Sequence, residues 1–123
     1  MDGKPLTIVA CEDDPITIAY IKKAIRLIPN AQVQTYNRLG DAMLAVRREK
    51  PQVFICDHHL PGQDGTDGVR LVKGSDWGRD VKVLVYTGAD VREKAMAAGA
   101  DLFLKKPATV DTLINAVRSL VGA

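Results

Sequence analysis

The chain has 123 residues, of which 46% are hydrophobic and 26% charged, so it can form one hydrophobic core but not two domains of ordinary size. Its formal charge is only +2, and its lysine and arginine residues are spread along the chain without a dense basic block, which argues against direct binding of nucleic acid. The apolar stretches have the length of strands, and the first residues lack the apolar core of a signal peptide. We therefore expect a single cytoplasmic domain over residues 1–123, with no membrane segment.

Short apolar runs rich in β-branched residues alternate with segments of helical period, which is typical of βα units around a parallel sheet. Five strands are predicted at residues 6–10, 32–36, 53–56, 82–86 and 102–104. Helices are predicted over about residues 15–28, 39–46, 66–73 and 91–98, and from Thr109 or Asp111 to about residue 120. The third helix runs into a Gly-flanked polar loop, in which we interpret Trp77 as a local packing anchor.

Cys11 and Cys56 are isolated in apolar runs and lack the spacing of a metal knuckle or redox motif. We predict that both are buried, reduced core residues.

Polar residues follow the predicted strands at the points where a parallel sheet places its ligand site. The sets are Glu12-Asp13-Asp14 after the first strand, Asp57 after the third, Thr87-Gly88 after the fourth and Lys105-Lys106-Pro107 after the fifth. Asp14 precedes Pro15 and is predicted to cap a helix. The other carboxylates, if they converge, repel one another unless a hard cation such as Mg²⁺ lies between them.

A carboxylate, a metal ion, a hydroxyl and an ammonium group suit phosphoryl transfer, in which catalysis is largely positioning and charge neutralisation. Asp57 is then the nucleophile, while Thr87 and Lys106 contact phosphoryl oxygens. Lys105 is interpreted as a solvated side chain.

These motifs together resemble the response-regulator receiver family of two-component signalling, in order and over nearly the whole chain. The matching segments are Ile8-Val9-Ala10-Cys11-Glu12-Asp13-Asp14-Pro15, Val53-Phe54-Ile55-Cys56-Asp57, Leu60-Pro61-Gly62-Gln63-Asp64-Gly65, Val83-Leu84-Val85-Tyr86-Thr87-Gly88, Ala97-Ala98-Gly99-Ala100-Asp101 and Lys106-Pro107. The resemblance implies a flavodoxin-like (βα)5 fold, a doubly wound parallel sheet of strand order 2-1-3-4-5.

The resemblance also implies roles for single residues. Asp57 is expected to be the phosphoacceptor, with Asp13 binding Mg²⁺ directly, Glu12 binding it through water and the backbone carbonyl of His59 supplying a further ligand. The phosphoryl donor is expected to be a histidine kinase or a histidine phosphotransfer protein.

The resemblance also implies roles for residues in and directly after the last two predicted strands. Thr87 is expected to be the switch hydroxyl, Lys106 the phosphate-binding lysine and Phe103 the aromatic residue that turns inward when Thr87 moves. Phe103 is equally compatible with a plain core role. A cis Lys106-Pro107 bond also fits the resemblance.

The sequence departs from the family in two places. His58-His59 stand where the family usually has an apolar residue after the phosphoacceptor, and adjacent residues of extended chain point apart, which disfavours joint binding of one metal ion. We interpret His59 as a residue that tunes the lifetime of the acyl phosphate. The segment between Thr87 and Lys106 is about one turn short, which predicts a shortened fourth helix.

Several functions remain open at this stage. The favoured one is a signalling switch that catalyses only its own phosphorylation and dephosphorylation, as a stand-alone regulator or phosphorelay intermediate. A receiver from a hybrid kinase or transcription factor is the alternative. An aspartate-nucleophile phosphatase is disfavoured because its candidate, Asp64, does not directly follow an apolar strand. The presence of Asp57, Thr87 and Lys106 argues against a scaffold that takes no phosphate.

Overall fold

The structure is a computed structural model that describes residues 5–122. Strands and helices alternate along the chain as the sequence pattern predicts. In chain order the elements are β1 (Leu6–Cys11), α1 (Pro15–Arg26), β2 (Ala31–Tyr36), α2 (Leu39–Glu49), β3 (Val53–Cys56), β4 (His59–Leu60), β5 (Gln63–Asp64), α3 (Gly65–Gly74), β6 (Lys82–Thr87), α4 (Arg92–Ala97), β7 (Leu102–Lys105) and α5 (Val110–Val121).

Five strands form one parallel sheet in the order β2-β1-β3-β6-β7. This is the predicted order 2-1-3-4-5, because within residues 5–122 the short strands β4 and β5 pair only with each other. In register, Cys11 lies beside Cys56, and Cys56 lies beside Val85. The carboxyl ends of the three central strands therefore meet at one edge of the sheet.

Helices cover both faces of the sheet, so the fold is doubly wound and the core has two halves. Alternate strand residues such as Ile8 and Leu84 pack with α1 and α5, whereas their neighbours Val9 and Val85 pack with α2, α3 and α4. This explains the nearly continuous apolar runs of the central strands, since both faces of a covered parallel strand are buried. Within residues 5–122, no helix combines the length and apolar character needed to cross a membrane.

The observed elements differ from the predicted ones mainly at their ends. Helix α1 ends at Arg26, although Ile28 beyond it is still buried. Helix α5 begins at Val110 and is capped by Thr109, the earlier of the two predicted starting residues. Strands β4 and β5 were not predicted, because two-residue strands have no readable period. The predicted short fourth helix is confirmed, since α4 has only 6 residues.

Predictions for single residues are also confirmed. Cys11 and Cys56 are free, buried thiols. Burial raises the pKa of the Cys11 thiol to about 12 and that of Cys56 well above its usual value. Trp77 is partly buried in the loop after α3 and packs against the core, with the Arg47 guanidinium carbon 5.8 Å from its ring centroid. The Lys106-Pro107 peptide bond is cis.

Candidate functional site

The strand ends bring three carboxylates together at the carboxyl edge of the sheet. Glu12 and Asp13 follow β1, and Asp57 follows β3, its neighbour in the sheet. One carboxylate oxygen from each residue lies within 4.8 Å of those from the other two. A cavity of about 410 Å³ opens over this acidic cluster, and Thr87 and Lys106 line it as well.

Glu12 is the most enclosed member of the acidic cluster, with an exposed fraction of only 1%. Its Oε2 accepts hydrogen bonds from the backbone N–H groups of Asp13 (3.2 Å) and Asp14 (3.1 Å). Burial raises the pKa of the Glu12 carboxyl and the charge of Asp57 adds to this, while Lys106 and the Asp14 amide act in the opposite direction. Asp14 itself caps α1 through Thr17, as the sequence predicts.

Lys106 reaches two of the three carboxylates. Its Nζ lies 2.8 Å from Glu12 Oε1 and 3.2 Å from Asp57 Oδ2. Burial by itself lowers the pKa of this ammonium group, but hydrogen bonds and charge from Glu12 and Asp57 outweigh burial and raise it. One ammonium group thus faces three carboxylates, which leaves negative charge for a further cation to neutralise.

Asp57 has an exposed fraction of 5% and is held from several sides. Its Oδ1 accepts a hydrogen bond from the backbone N–H of His59 (3.2 Å), and its own N–H donates to the carbonyl of Cys11 (3.1 Å). The first residue of α3, Gly65, lies against its backbone, so that a Cβ at position 65 would stand 1.8 Å from the Asp57 carbonyl oxygen. The carboxylate therefore projects into the cavity from a firmly placed backbone.

Thr87 and Phe103 lie on the same side of the sheet. Phe103 pairs with Val85 in register, and Thr87, two residues further along β6, points to the same face. Thr87 is buried, and Phe103 is 6% exposed with the Arg92 guanidinium carbon 5.0 Å from its ring centroid. The backbone N–H of Lys106 donates to the Thr87 carbonyl (2.8 Å), which ties the ends of β6 and β7 together.

The acidic cluster fits the requirements of Mg²⁺. Mg²⁺ prefers hard oxygen ligands and keeps several waters, and the cluster supplies three carboxylates at an open cavity. Asp13 is exposed and free to turn towards an ion. A soft ligand is not available here, because the thiol of Cys11 is buried with a raised pKa.

The two adjacent histidines have different surroundings, in line with the expectation that they point apart. His58 is partly buried, and its Nδ1 lies 2.9 Å from Asp64 Oδ1 without hydrogen-bond geometry. His59 is exposed and lines the cavity beside the acidic cluster.

Some residues around the site were not singled out from the sequence. Gln63 accepts the Leu39 N–H (3.0 Å) at the start of α2, and Lys94 of α4 pairs with Asp64. Tyr86, buried below the site, lies beside Lys106. Their sequence signals are weak, because a glutamine, a helix lysine and a strand tyrosine are ordinary residues until their neighbours are known.

Comparison with known proteins agrees with this geometry. Residues 8–118 match the family described as the response regulator receiver domain. The chain is 27% identical over 119 residues to the response regulator MprA of Mycobacterium leprae, covering 94% of this chain and 51% of MprA. It is 22% identical over 121 residues to the polar-differentiation response regulator DivK of Brucella anthropi, covering 96% of this chain and 98% of DivK.

Solved structures show the same fold. The receiver domain of the sensor histidine kinase PA1611 from Pseudomonas aeruginosa, solved with a magnesium ion in its active-site cleft, superimposes with a TM-score of 0.86 at 23% identity, covering 97% of this chain and 99% of that one. The chain spans about half the length of the first curated relatives that it matches. Since the family match extends over most of its length, the chain belongs to the response regulator receiver domain family of bacterial two-component systems.

Proposed function

We propose that this domain is a phosphoacceptor switch that takes a phosphoryl group onto Asp57 from a histidine kinase or a histidine phosphotransfer protein. The observation that carries the proposal is the placement of Asp57, which is 5% exposed, beside Lys106 and within the acidic cluster. Three carboxylates and one lysine at one cavity suit phosphoryl transfer, because carboxylates can hold a metal ion while the lysine neutralises charge on a phosphoryl oxygen.

The transfer follows from the chemistry of the side chains. An Asp57 carboxylate oxygen forms the new P–O bond while the P–N bond to the donor histidine breaks, and that histidine takes up a proton. Lys106 neutralises charge on one phosphoryl oxygen, and the Thr87 hydroxyl donates a hydrogen bond to another. Both groups already line the cavity over Asp57.

Mg²⁺ is the cofactor that the acidic cluster fits. Asp13, Asp57 and the backbone carbonyl of His59 would bind it directly and Glu12 through water. When bound, Mg²⁺ supplies positive charge that offsets the charge of the transferred phosphoryl oxygens. The Glu12 carboxylate is buried and accepts hydrogen bonds from two backbone N–H groups, so its position in this ligand set is fixed.

The output of the switch is proposed to start at Thr87. A Thr87 hydroxyl drawn towards the phosphoryl group leaves space beside Phe103, which lies on the same face of the sheet. The response is a population shift that alters the surface near α4, where Arg92 contacts the Phe103 ring. The domain acts as a switch and not as an enzyme on a separate substrate.

The deciding experiment is intact mass spectrometry after incubation with acetyl phosphate, with and without Mg²⁺. We expect a Mg²⁺-dependent gain of one phosphoryl group that is absent in Asp57→Asn. Asp64→Asn is the matched control, because Asn also caps a helix and Asp64 is already engaged by Thr66 and Lys94.

A mass gain that persists in Asp57→Asn would assign the phosphoryl group to another residue. A gain lost only in Asp64→Asn would favour the aspartate-nucleophile phosphatase, and no gain in the wild type would contradict the phosphoacceptor proposal.

His59 is proposed to tune the lifetime of the acyl phosphate. Its exposed side chain lines the cavity over Asp57, where it can limit or guide the approach of water. We expect His59→Ala to change the dephosphorylation rate by about threefold or more, a modest part of the range of general acid–base effects. Unchanged rates of both phosphorylation and dephosphorylation would contradict this role.

We further propose that the domain works as a cytoplasmic stand-alone regulator or phosphorelay intermediate. Its match to nearly all of DivK supports this arrangement. The half-length match to MprA and the fold shared with the receiver of a sensor kinase support the alternative, a receiver within a longer protein. Immunoblotting of the source organism decides between them, through a band at the mass of this chain or at a larger mass.

A further inference from the structure

The aromatic ring of Tyr86 lies beside the ammonium group of Lys106. The distance from Lys106 Nζ to the ring centroid is 5.6 Å, which is within the range of a cation–π contact. Tyr86 is the penultimate residue of β6 and is 2% exposed, so the ring is held by the core on the α1 and α5 side. Because the ring is fixed by packing, it is a constant neighbour of the Lys106 side chain.

The ring differs from the other two contacts of the ammonium group. Glu12 and Asp57 bind Lys106 in this structure, and both belong to the acidic cluster that fits a divalent cation. A cation at the cluster attracts these carboxylates and weakens their hold on the ammonium group. The ring of Tyr86 is not a metal ligand, so its attraction for Lys106 remains when the cluster is loaded.

The hydroxyl group of the same residue contacts the segment that carries Lys106. The backbone N–H of Ala108 donates a hydrogen bond to Tyr86 Oη at 3.3 Å. On the other side, the backbone N–H of Lys106 donates to the carbonyl of Thr87. Tyr86 therefore lies against both the side chain of Lys106 and the backbone that follows it.

We propose that Tyr86 is a positioning residue whose ring holds the Lys106 ammonium group at Asp57 while Glu12 and Asp57 are engaged with a divalent cation. Its effect on rate rests on the proposed phosphoacceptor function, whereas its effect on the position of Lys106 does not. The competing interpretation is that Tyr86 only fills the core.

The position of Lys106 is tested by NMR at saturating Mg²⁺, without any phosphoryl donor. The ε-methylene protons of Lys106, assigned by their loss in Lys106→Met, are expected to be shifted upfield from those of exposed lysines by the ring current. The shift persists in Tyr86→Phe and disappears in Tyr86→Leu. An ordinary lysine shift in the wild type with Mg²⁺ would overturn the proposal.

The effect on phosphoryl transfer is tested by the rate of phosphorylation with acetyl phosphate. Removing a partly buried cation–π contact in Tyr86→Leu is expected to slow the reaction by about fivefold. Tyr86→Phe, which keeps the ring, is expected to restore the rate to within about twofold of the wild type. Equal slowing in the two variants would overturn the role of the ring.

A double-mutant cycle separates positioning from a purely structural role. If Tyr86 acts through Lys106, Tyr86→Leu causes no further slowing in the Lys106→Met background. Full additivity of the two substitutions would overturn the proposal. A wild type that takes up no phosphoryl group would contradict the phosphoacceptor function itself, and the NMR comparison would then decide the role of Tyr86 alone.

Discussion

Gly65 illustrates how a single position can determine where the backbone of Asp57 lies. It begins α3, and its backbone N–H donates to the His58 carbonyl at 2.8 Å. The missing side chain lets the helix start lie directly against the backbone of Asp57. Gly40 in α2 is a useful contrast, because a Cβ there would have no neighbour within 4 Å.

We predict opposite effects for alanine at these two glycines. Gly65→Ala forces a methyl group into the Asp57 carbonyl and is expected to destabilise the protein by about 3 kcal/mol. Gly40→Ala is expected to stabilise it by about 0.5–1 kcal/mol, because alanine is the better helix former. Urea unfolding measures both changes, and equal effects of the two substitutions would contradict the assigned contact.

The cysteines next to the site are predicted to be unreactive in the folded protein. Cys11 and Cys56 are each 1% exposed, and burial raises both thiol pKa values, so the thiolate needed for alkylation is scarce. Iodoacetamide should label the native protein far more slowly than the urea-unfolded protein, as measured by intact mass. Comparable rates in the two states would show that the edge of the sheet opens readily.

At the scale of elements, α4 is short and relies on contacts made by its side chains. Lys94 pairs with Asp64 at the start of α3, and Arg92 lies over the ring of Phe103. Burial acts against ionisation of Asp64, but hydrogen bonds from Lys94 and Thr66 outweigh it and hold the pKa of this carboxyl below its usual value. The pair between Lys94 and Asp64 thus links α4 to the segment that follows Asp57.

The lowered pKa of Asp64 predicts a defined acid dependence of stability. The ionised carboxylate stabilises the fold at any pH above its unfolded pKa of about 3.9, and this contribution is lost as the pH falls through the lower folded value. The free energy of unfolding of the wild type should therefore exceed that of Asp64→Asn at pH 7, and the difference should shrink below about pH 4. Urea titrations across this range measure the difference.

Asp76→Asn is the matched control for this comparison. Asp76 also pairs with a cation, Arg79, but its side chain is 95% exposed, and such surface pairs contribute little. We expect Asp76→Asn to leave both the stability at pH 7 and its acid dependence nearly unchanged. A difference for Asp64→Asn that stays constant down to pH 2 would contradict the assigned role of its ionised form.

At the scale of the whole molecule, the acidic cluster joins parts of the chain that are far apart in sequence. Glu12 of the cluster and its partner Lys106 are separated by 94 positions, and the cluster lies at the carboxyl edge of the sheet, whose two faces carry the two halves of the core. Three carboxylates with one ammonium group leave repulsion in the folded state. A bound divalent cation relieves this repulsion only when the chain is folded.

We predict that Mg²⁺ stabilises the folded domain by about 1.4 kcal/mol at a free concentration of about ten times its Kd. The rise in Tm with Mg²⁺ should be lost in Asp13→Asn and reversed by EDTA in the wild type. Asp41→Asn is the control, because Asp41 is exposed and lies outside the acidic cluster. An equal rise in Tm for Asp13→Asn would place the bound ion elsewhere.

Much of this architecture can be predicted from the sequence, because it depends on residues that are close together in the chain. The strands were predicted from short apolar runs rich in β-branched residues and the helices from a period of about 3.6 residues, while the roles of Asp57 and Lys106 were inferred from strand ends together with the family resemblance. Strands β4 and β5 escaped prediction because they are too short to show a period. The observed ends of α1 and β7 differ from the predicted ones by a residue or two, because capping and packing, more than the sequence pattern, determine where an element ends.

The sequence by itself determined the alternation of elements, the short fourth helix and the set of polar residues at the strand ends, because each depends on residues close together in the chain. Only the tertiary structure decided that Tyr86 lies beside Lys106, that Lys94 pairs with Asp64 and that Gly65 lies against Asp57. These contacts depend on strand register and on how helices pack over the sheet. Register and packing depend on the whole core at once, so they cannot be predicted from a local sequence pattern.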